Sequence, residues 1–268
     1  MQSLEEMSVE SAIITGTGIY DIPGFKFVQK IVDTEYGQAL VNVGTRDDFE
    51  LAFLARHGLE HTTPPHKINY RANLKALHLL GVKRILATNA VGSISRGIPP
   101  MGLALLTDFL DFTSGRDFSF YNGGESGLAH TNMDVPYCPS LRKKVLEISP
   151  RYKLEIQPTA VYVATNGPRF ESPAEIRMYA QMGGDVVGMT GIPEVVLARE
   201  LRMHYAAIAY SINWAAGLEE EMTFVSDQMA ELRQLLTLLL VNTLKETKDF
   251  VCGCEEAVMM MHEPKKRP

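Results

Sequence analysis

Short apolar runs alternate along this chain with segments of helical spacing, and several of the runs end in glycine or small polar residues. The first run, Ser11–Thr15, passes at once into Gly16-Thr17-Gly18, which predicts a buried strand followed by a glycine turn. Apolar patterning predicts further strands at residues 25–32, 51–55, 82–88, 103–112, 158–165, 185–187 and 205–212.

Apolar residues at a spacing of three and four predict helices between these strands. We place them at residues 67–80, 140–148, 173–182, 193–202 and 226–248. The alternation predicts an α/β fold, a single domain over residues 1–250 with a mixed β-sheet covered by helices on both faces. Residues 114–136 are polar and glycine-rich and are predicted to form a long loop, and the tail at 251–268 is predicted to be poorly ordered.

Four predicted strands end in turns of small or hydroxyl-bearing residues, at positions 15–18, 89–93, 189–191 and 213–217. Ligands of open α/β sheets bind beyond the carboxyl ends of the strands. Backbone N–H groups in such turns and at helix starts can hold a phosphate group. The sequence therefore predicts that the four turns converge on one anionic or nucleoside ligand.

Composition narrows the class of partner. The 268 residues carry a net charge of −6, with 46% apolar and 22% charged residues, which are ordinary values for a globular protein. A nucleic-acid ligand would require a basic surface, so we expect none. The N-terminal residues include acidic side chains where a signal peptide would be basic, and no apolar run approaches the length of a membrane span. We expect a cytoplasmic protein without a membrane partner.

Few residues have the spacing of a known catalytic or metal motif. The turn Gly16-Thr17-Gly18 lacks the third glycine of a dinucleotide-binding fingerprint, and neither GxSxG nor HExxH occurs. Cys138 has no base beside it and is interpreted as a buried, inert thiol. Cys252, Cys254 and His262 offer three possible metal ligands, one fewer than a structural zinc site needs, so we expect no metal.

Arg56 and His57 directly follow a predicted strand. The guanidinium fork matches phosphate oxygens, and an imidazole can add a second donor. A solvated charge at a loop entrance is the alternative interpretation of this pair.

Three longer motifs resemble a known family. They are Leu54-Ala-Arg-His-Gly58 with His61 and Lys67-x-Asn69-Tyr70-x-Ala72-Asn73, then Asn166-Gly-Pro-Arg-Phe170-Glu171, and Gly188-Met-Thr190-Gly-x-Pro-Glu194-Val-x-Leu-Ala198. In this order they are similar to the methylthioadenosine phosphorylase branch of the purine nucleoside phosphorylase superfamily. The resemblance covers most of the chain, from about residue 13 to residue 227.

The resemblance implies phosphorolysis, in which phosphate attacks the anomeric carbon of a purine nucleoside and releases the base. It implies no cofactor and a homotrimer with shared sites, to which His130 contributes from the neighbouring subunit. By matching position, the residues implied to surround phosphate are Thr17, Arg56, His57, Asn89, Ala90 and Thr190. Those implied to bind the nucleoside are Met189, Phe170, Glu171, Asn213, Trp214, Ala215 and Val225, with Asn213, Glu171 and His57 as catalytic residues.

Two positions depart from the family pattern. Thr15 stands where the family usually has the first glycine of the turn, and Asn89 stands where close relatives often carry threonine. Both changes retain or add a hydrogen-bonding group beside the phosphate position that the resemblance implies.

The identity of the substrate depends on a few positions. Adenine-specific relatives carry an Asp-x-Asp pair where this chain has Asn213 and Ala215, and Glu171 would accept a hydrogen bond from the N1–H of a 6-oxopurine. Residues 222–226 lack the histidine of relatives that prefer a free 5′-hydroxyl. We therefore expect S-methyl-5′-thioinosine as the substrate.

Several other functions stay open from the sequence. They are a methylthioadenosine phosphorylase, a general inosine or guanosine phosphorylase, and a non-catalytic nucleoside- or phosphate-binding protein. A nucleotide-dependent oxidoreductase is disfavoured because the dinucleotide fingerprint is missing.

Overall fold

The computed structural model describes residues 9–19, 21–58, 60, 62–221, 223–225 and 229–264. Within those ranges the strands are β1 (Ser11–Thr15), β2 (Lys26–Thr34), β3 (Gly37–Arg46), β4 (Phe49–Ala55), β5 (Arg84–Ser93), β6 (Leu103–Asp111), β7 (Leu128–Thr131), β8 (Ile156–Ala164), β9 (Val186–Gly188), β10 (His204–Trp214) and β11 (Val258–His262). The α-helices are α1 (Tyr70–Leu79), α2 (Pro139–Ile148), α3 (Pro173–Gln181), α4 (Gly191–Glu200) and α5 (Ala230–Glu246).

The main sheet is partly closed on itself. Its strand order is β10-β6-β8-β9-β5-β1-β4-β3-β2, and β10 also pairs with β5. Strands β5, β10, β6, β8 and β9 therefore form a ring, while β1, β4, β3 and β2 extend from β5 as an open wing. Strands β11 and β7 form a separate two-stranded sheet.

Strand direction brings the predicted ligand segments together. Strands β1, β4, β5 and β10 are mutually parallel through their β1–β4, β1–β5 and β5–β10 pairings, so their carboxyl ends share one edge of the sheet. Strand β9 runs antiparallel to β5, with Gly92 opposite Val187. The chain that leaves β9 therefore runs back along β5, so that residues 189–190 approach the middle of that strand.

Side chains on the two faces of the sheet pack against different helices. Alternation along β1 sends Ile14 into the core cluster that contains α1 and α4, and Ile13 into the cluster that contains α2 and α5. Helix α3 packs in a third, smaller cluster through Ile176 and Tyr179. The predicted α/β fold with helices on both faces is confirmed. Among the described residues, no helix has the length and apolarity to cross a membrane.

Some elements differ from the sequence prediction. Strand β3 was not predicted, and residues 89–93 continue β5 instead of forming a turn, because they pair with both β10 and β9. The loop at 114–136 contains β7. The predicted start of the last helix, residue 226, lies outside the described residues.

The prediction of a poorly ordered tail is wrong for residues 251–264. Strand β11 pairs antiparallel with β7, and Cys254, Ala257 and Val258 are buried. These side chains and the ladder of hydrogen bonds fix the segment against the body of the protein, which the local sequence does not reveal. Residues 265–268 lie outside the described residues.

Candidate active site

One cavity of about 700 Å³ lies where the four predicted ligand segments meet. Those segments contribute Gly16 and Thr17, Ala90 to Gly92, Gly188 to Thr190, and Ile212, Asn213, Ala215 and Ala216. The other lining residues are Arg56, His57, Thr62, Thr63, Pro64, Pro65, Phe170, Glu171, Val187 and Phe224. The volume is in the range of small-ligand sites.

The turn after β1 is shaped by an arginine on each side. A Cβ atom at Gly16 would lie 3.0 Å from the Nη1 atom of Arg56, so a larger residue would crowd the guanidinium. Gly18 has a φ of +86°, and a Cβ there would come within 2.5 Å of the Arg233 guanidinium. Thr15, the departure from the family pattern, donates its hydroxyl to the Ile19 carbonyl at 2.6 Å and so closes the turn.

A buried ion pair holds Arg56 in place. The Nε and Nη2 atoms of Arg56 donate to the two carboxylate oxygens of Glu194, each at 2.7 Å, and Nη1 donates to the Thr88 carbonyl at 3.1 Å. The Tyr205 hydroxyl donates to Glu194 at 2.7 Å. Guanidinium has five N–H hydrogens. These three bonds therefore leave one hydrogen on each terminal nitrogen without a partner among the described residues.

Charge compensation keeps this arginine ionised. Burial alone would lower the pKa of Arg56, but the charge and hydrogen bonds of Glu194 outweigh burial and raise that pKa above its ordinary value. Burial also raises the pKa of Tyr205 well above its usual range, so its hydroxyl remains a donor to Glu194. In the sequence Glu194 stands only as one residue of a longer motif, and nothing in that motif predicts its contact with Arg56. The signal that could have indicated a buried partner is its acidic side chain in the first turn of an otherwise apolar helix.

His57 is oriented by a backbone carbonyl. Its Nδ1 atom lies 2.8 Å from the Thr63 carbonyl oxygen, which can only accept, so the proton of the ring sits on Nδ1. Its Nε2 atom is on the side of Gly16, 3.7 Å from the position that a Cβ would take there. A phosphate hydroxyl can donate to Nε2 when the ring is neutral, and Nε2 can donate to a phosphate oxygen when the ring is protonated.

The hydroxyl of Thr190 is held by Asn89 so that it acts as a donor. Its Oγ1 atom accepts from the Asn89 side-chain amide at 3.2 Å, which leaves the hydroxyl hydrogen to be donated elsewhere. The backbone N–H groups of Thr190 and Gly191 both donate to the Tyr162 hydroxyl at 3.1 Å. The side chain of Thr190 is therefore a donor available to the cavity, whereas the backbone N–H groups at the start of α4 are already bonded.

Two polar side chains on the cavity wall can bind a purine. Glu171 accepts from the Thr165 hydroxyl at 2.6 Å through Oε1, which leaves Oε2 as a second acceptor. The Asn213 amide nitrogen donates one hydrogen to the Trp214 carbonyl at 2.7 Å, so its second hydrogen remains available. Phe170 and Phe224 pack together with ring centroids 5.8 Å apart and supply an aromatic wall.

Arg116, in the long loop, was missed by sequence reasoning. Its guanidinium donates to the carbonyls of Met189 at 2.8 Å, Asn166 at 3.0 Å and Thr165 at 3.2 Å, and also to the Ile192 carbonyl. It thereby ties together the chain segments after β8 and β9. An arginine in a glycine-rich loop gives no sequence signal of this role, because its partners are backbone groups.

The structure brings most of the predicted site residues together, but not all of them. Asn89 lies behind Thr190 and does not line the cavity. Trp214 is also outside the lining, with its ring 4.6 Å from the Arg96 guanidinium carbon, and Val225 packs against the core with its N–H bonded to the Ile212 carbonyl. The predicted contacts of Trp214 and Val225 with substrate are therefore not supported within this chain. His61, Met222 and Ser226 lie outside the described residues.

His130 is also separate from the cavity of its own chain. It lies on β7, is exposed, and is opposite Met259 of β11. Its predicted role in a neighbouring subunit stays a prediction.

Comparison with known proteins places this site in a family. The model of the phosphorylase superfamily matches residues 11–245, most of the chain. The chain belongs to the phosphorylase superfamily. The family predicted from the motifs is therefore confirmed, and with it the prediction that the chain is an enzyme.

Relatives and solved structures agree with this assignment. The chain is 44% identical to the 6-oxopurine nucleoside phosphorylase of Pyrococcus furiosus, over 92% of this chain and 97% of that protein. It is 42% identical to the probable S-methyl-5′-thioinosine phosphorylase of Methanopyrus kandleri, over 93% and 97%. The methylthioadenosine phosphorylase of Schistosoma mansoni in complex with tubercidin superposes with a TM-score of 0.80 at 31% identity, covering 89% of this chain and 93% of that one.

The ion pair leads to a prediction about phosphate. We expect Arg56→Ala to raise the phosphate KM about ten- to a hundredfold, because a charge-assisted hydrogen bond contributes about 1.5–3 kcal/mol. The same change leaves Glu194 as a buried, unpaired carboxylate, which costs about 3–5 kcal/mol of stability. Phosphate KM and the urea midpoint of unfolding should both be measured.

A double variant separates the two effects. Arg56→Ala with Glu194→Gln removes the orphaned charge, so we expect the urea midpoint to recover partly while the phosphate KM stays high. A phosphate KM that recovers together with stability would show that Arg56 acts only by holding the fold.

Proposed function

We propose that this chain catalyses the phosphorolysis of 6-oxopurine nucleosides, with S-methyl-5′-thioinosine as its preferred substrate. The observation that carries the proposal is one cavity that combines the hydrogen-bond donors Arg56 and Thr190, which suit a phosphate, with Glu171 and Asn213, which suit a purine. Phosphate and nucleoside would then bind side by side, as direct attack of one on the other requires.

The donors in the cavity suit the attacking phosphate. Arg56 offers its two remaining N–H hydrogens and Thr190 its hydroxyl hydrogen, and the His57 ring borders the same space. Breaking of the glycosidic bond leaves positive charge on the sugar, and a phosphate held beneath the anomeric carbon both stabilises that charge and attacks it. Electrostatic stabilisation of developing charge is usually the largest contribution to catalysis of this kind.

The same cavity can stabilise the leaving base. As the bond breaks, electrons move onto the purine, and the second amide hydrogen of Asn213 can donate to N7. Because the Trp214 carbonyl binds the other amide hydrogen, the nitrogen of Asn213 is oriented without help from substrate. This orientation supports Asn213 as a catalytic donor.

Glu171 supports a 6-oxopurine over adenine. An ionised carboxylate only accepts hydrogen bonds. The Thr165 hydroxyl binds one oxygen of Glu171, and the other oxygen can accept from the N1–H of hypoxanthine or guanine. Adenine presents a bare N1 lone pair, so two acceptors would face one another at a cost of about 1–3 kcal/mol. The name of the Pyrococcus furiosus relative is consistent with this choice of base.

A methylthio group suits the apolar part of the cavity. Ile212, Pro64, Phe170 and Phe224 line it, and Thr223, Phe224 and Val225 include no histidine to bind a 5′-hydroxyl. One buried methyl contributes only about 0.8 kcal/mol, so the preference over inosine should be modest.

We further propose a homotrimer in the cytoplasm that works in purine salvage, with His130 completing a neighbour's site and no cofactor beside phosphate. The family resemblance supports the trimer, and so does the exposure of His130 away from its own cavity. The length of the loop at 114–136 is weaker support than the sequence suggested, because Arg116 and β7 have partners within this chain.

Release of base measured against phosphate tests the reaction. We expect no release from methylthioinosine without phosphate, and a kcat/KM at least tenfold higher for methylthioinosine than for methylthioadenosine, since about 1.4 kcal/mol of lost hydrogen bonding is tenfold. The kcat/KM for inosine should be a few-fold lower than that for methylthioinosine. Release without phosphate would indicate a hydrolase, and equal or faster reaction of methylthioadenosine would overturn the choice of base.

Asn213→Asp tests the base contact. A carboxylate would face the Trp214 carbonyl with no hydrogen to donate, so we expect kcat/KM for methylthioinosine to fall at least tenfold. A protonated carboxyl could instead donate to N7 and accept from the adenine amino group, so the ratio of the two substrates should shift toward methylthioadenosine. Asn69→Asp, at the N-cap of α1 and outside the cavity lining, is the matched control and should leave the ratio unchanged. An unchanged ratio in Asn213→Asp would remove Asn213 from base recognition.

Subunit mixing tests the role of His130. We expect His130→Ala and Asn213→Ala each to lose most activity alone, and coexpressed chains to regain activity because about a quarter of the sites in a random ring combine two intact residues. If His130 acted within its own chain, every site would carry one defect and no activity would return. Sedimentation of an active monomer would also contradict the proposal.

A further inference from the structure

All three cysteines of the chain lie close together, although Cys138 is more than a hundred residues from Cys252 and Cys254 in sequence. Cys138 precedes α2, His204 begins β10, and Cys252 and Cys254 lie in the tail. The Sγ atoms of the cysteines and a ring nitrogen of His204 all lie within 4.8 Å of one another. We call these four residues the thiol–histidine cluster.

Three of the four ligand atoms of the cluster are spaced like the ligand atoms of a tetrahedral metal ion. Sγ of Cys138 is 3.8 Å from Sγ of Cys252, and Nδ1 of His204 is 3.7 Å from the first and 3.3 Å from the second. Tetrahedral zinc with Zn–S bonds of about 2.3 Å and Zn–N bonds of about 2.0 Å has ligand atoms about 3.5–3.8 Å apart. Cys138, Cys252 and His204 therefore stand close to the distances that one zinc ion requires, and Sγ of Cys254, within 4.8 Å of each of the other three atoms, would have to move by no more than about 1 Å to complete the set.

Neighbouring groups complete such a site. The Nε2 atom of His204 lies 3.7 Å from a carboxylate oxygen of Glu255, and the ring stacks on Phe250 with centroids 3.8 Å apart. A carboxylate that closes to hydrogen-bond distance of the second nitrogen would hold the hydrogen on Nε2 and leave Nδ1 to bind metal, as is usual for metal-bound histidine.

A buried arginine lies beside the cluster. Arg199 is 4% exposed, and its Nη1 atom is 3.9 Å from Sγ of Cys254. Among the described residues Arg199 forms no ion pair with a carboxylate, whereas a buried charge is normally paired. Three thiolates and one Zn²⁺ carry a net charge of −1, which this guanidinium would offset.

We propose that Cys138, His204, Cys252 and Cys254 bind one structural Zn²⁺ ion. On binding, the three thiols release their protons to water and the neutral imidazole binds through Nδ1, so no oxidant or reductant is needed. Four protein ligands leave no open position for substrate, which is typical of a structural site. The cluster and Asn213 are at opposite ends of β10, roughly 30 Å apart for a strand of this length. The ion would fasten the tail, and with it β11, to the body of the protein.

The sequence predicted too few metal ligands in the tail to form a site. Cys252, Cys254 and His262 are one ligand short of a site, but His262 is exposed on β11 and does not belong to the cluster. Cys138 and His204 replace it, and their proximity to the tail is visible only in the folded chain.

Metal analysis of the full chain tests the proposal. We expect about one zinc per chain after expression with zinc and purification without chelator, as in other closed four-ligand sites. Cys252→Ser and His204→Gln should lose most of it, while the control His262→Gln keeps it. Wild-type zinc no higher than that of Cys252→Ser would overturn the proposal.

Measurements on the wild-type chain cover the case in which variants fail to fold. Exchange of zinc for Co²⁺ should give the thiolate charge-transfer bands and the intense visible bands of a tetrahedral cobalt site. Removal of zinc by a chelator should lower Tm by several degrees while kcat at room temperature stays unchanged. Alkylation of the unfolded protein without reductant should modify all three cysteines. Modification of only one cysteine, with the mass lower by two hydrogens, would show a disulfide in place of the metal site.

Discussion

The bidentate contact between Arg56 and Glu194 is the interaction on which the rest of the candidate site depends. It joins the end of β4 to the first turns of α4, and the Tyr205 hydroxyl extends it to β10. Each of these groups is buried, so each would be costly without the others. Because the carboxylate fork fixes the plane of the guanidinium, the two remaining N–H hydrogens are directed before any ligand arrives. Glycine at position 16 leaves the space that this plane needs.

The partly closed sheet explains why a few chain segments are enough to form the cavity. Strands β1, β4 and β10 end at one edge because they are parallel through β5, whereas residues after β9 reach the same place because β9 runs the other way. Asn89 meets the Thr190 hydroxyl across that reversal. Arg116 then holds the carbonyls of the chain after β8 and β9, so that Met189 is fixed by a loop that sequence reasoning treated as an interface element.

The sequence predicted the fold class and most of the cavity lining because both depend on local signals. Apolar runs mark the buried strands, and Arg56, His57, Glu171 and Thr190 lie in motifs whose order is that of the family. Trp214 and Val225 were predicted to contact substrate from their position in the family pattern, but Trp214 stacks with Arg96 and Val225 packs against the core. For Trp214, the register of β10 shifts between Ser211 and Asn213, so strand alternation in the sequence does not give the face of its side chain. Glu194 and Arg116 were missed because their partners are distant in sequence. The ordered tail was missed for the same reason, since β11 pairs with a strand more than a hundred residues earlier.

The buried ion pair also constrains how an anion can be held. Arg56 is compensated by Glu194, so the pair as a whole adds little net charge to the cavity, and the chain is acidic overall. A phosphate group there would be bound mainly by directed donors, namely the guanidinium hydrogens and the Thr190 hydroxyl, and less by an excess of positive charge. Directed donors discriminate by geometry, because they favour a tetrahedral oxyanion in one position. They also avoid the tight, unspecific binding that several uncompensated cations would give, which suits a site that must release a sugar phosphate after each turnover.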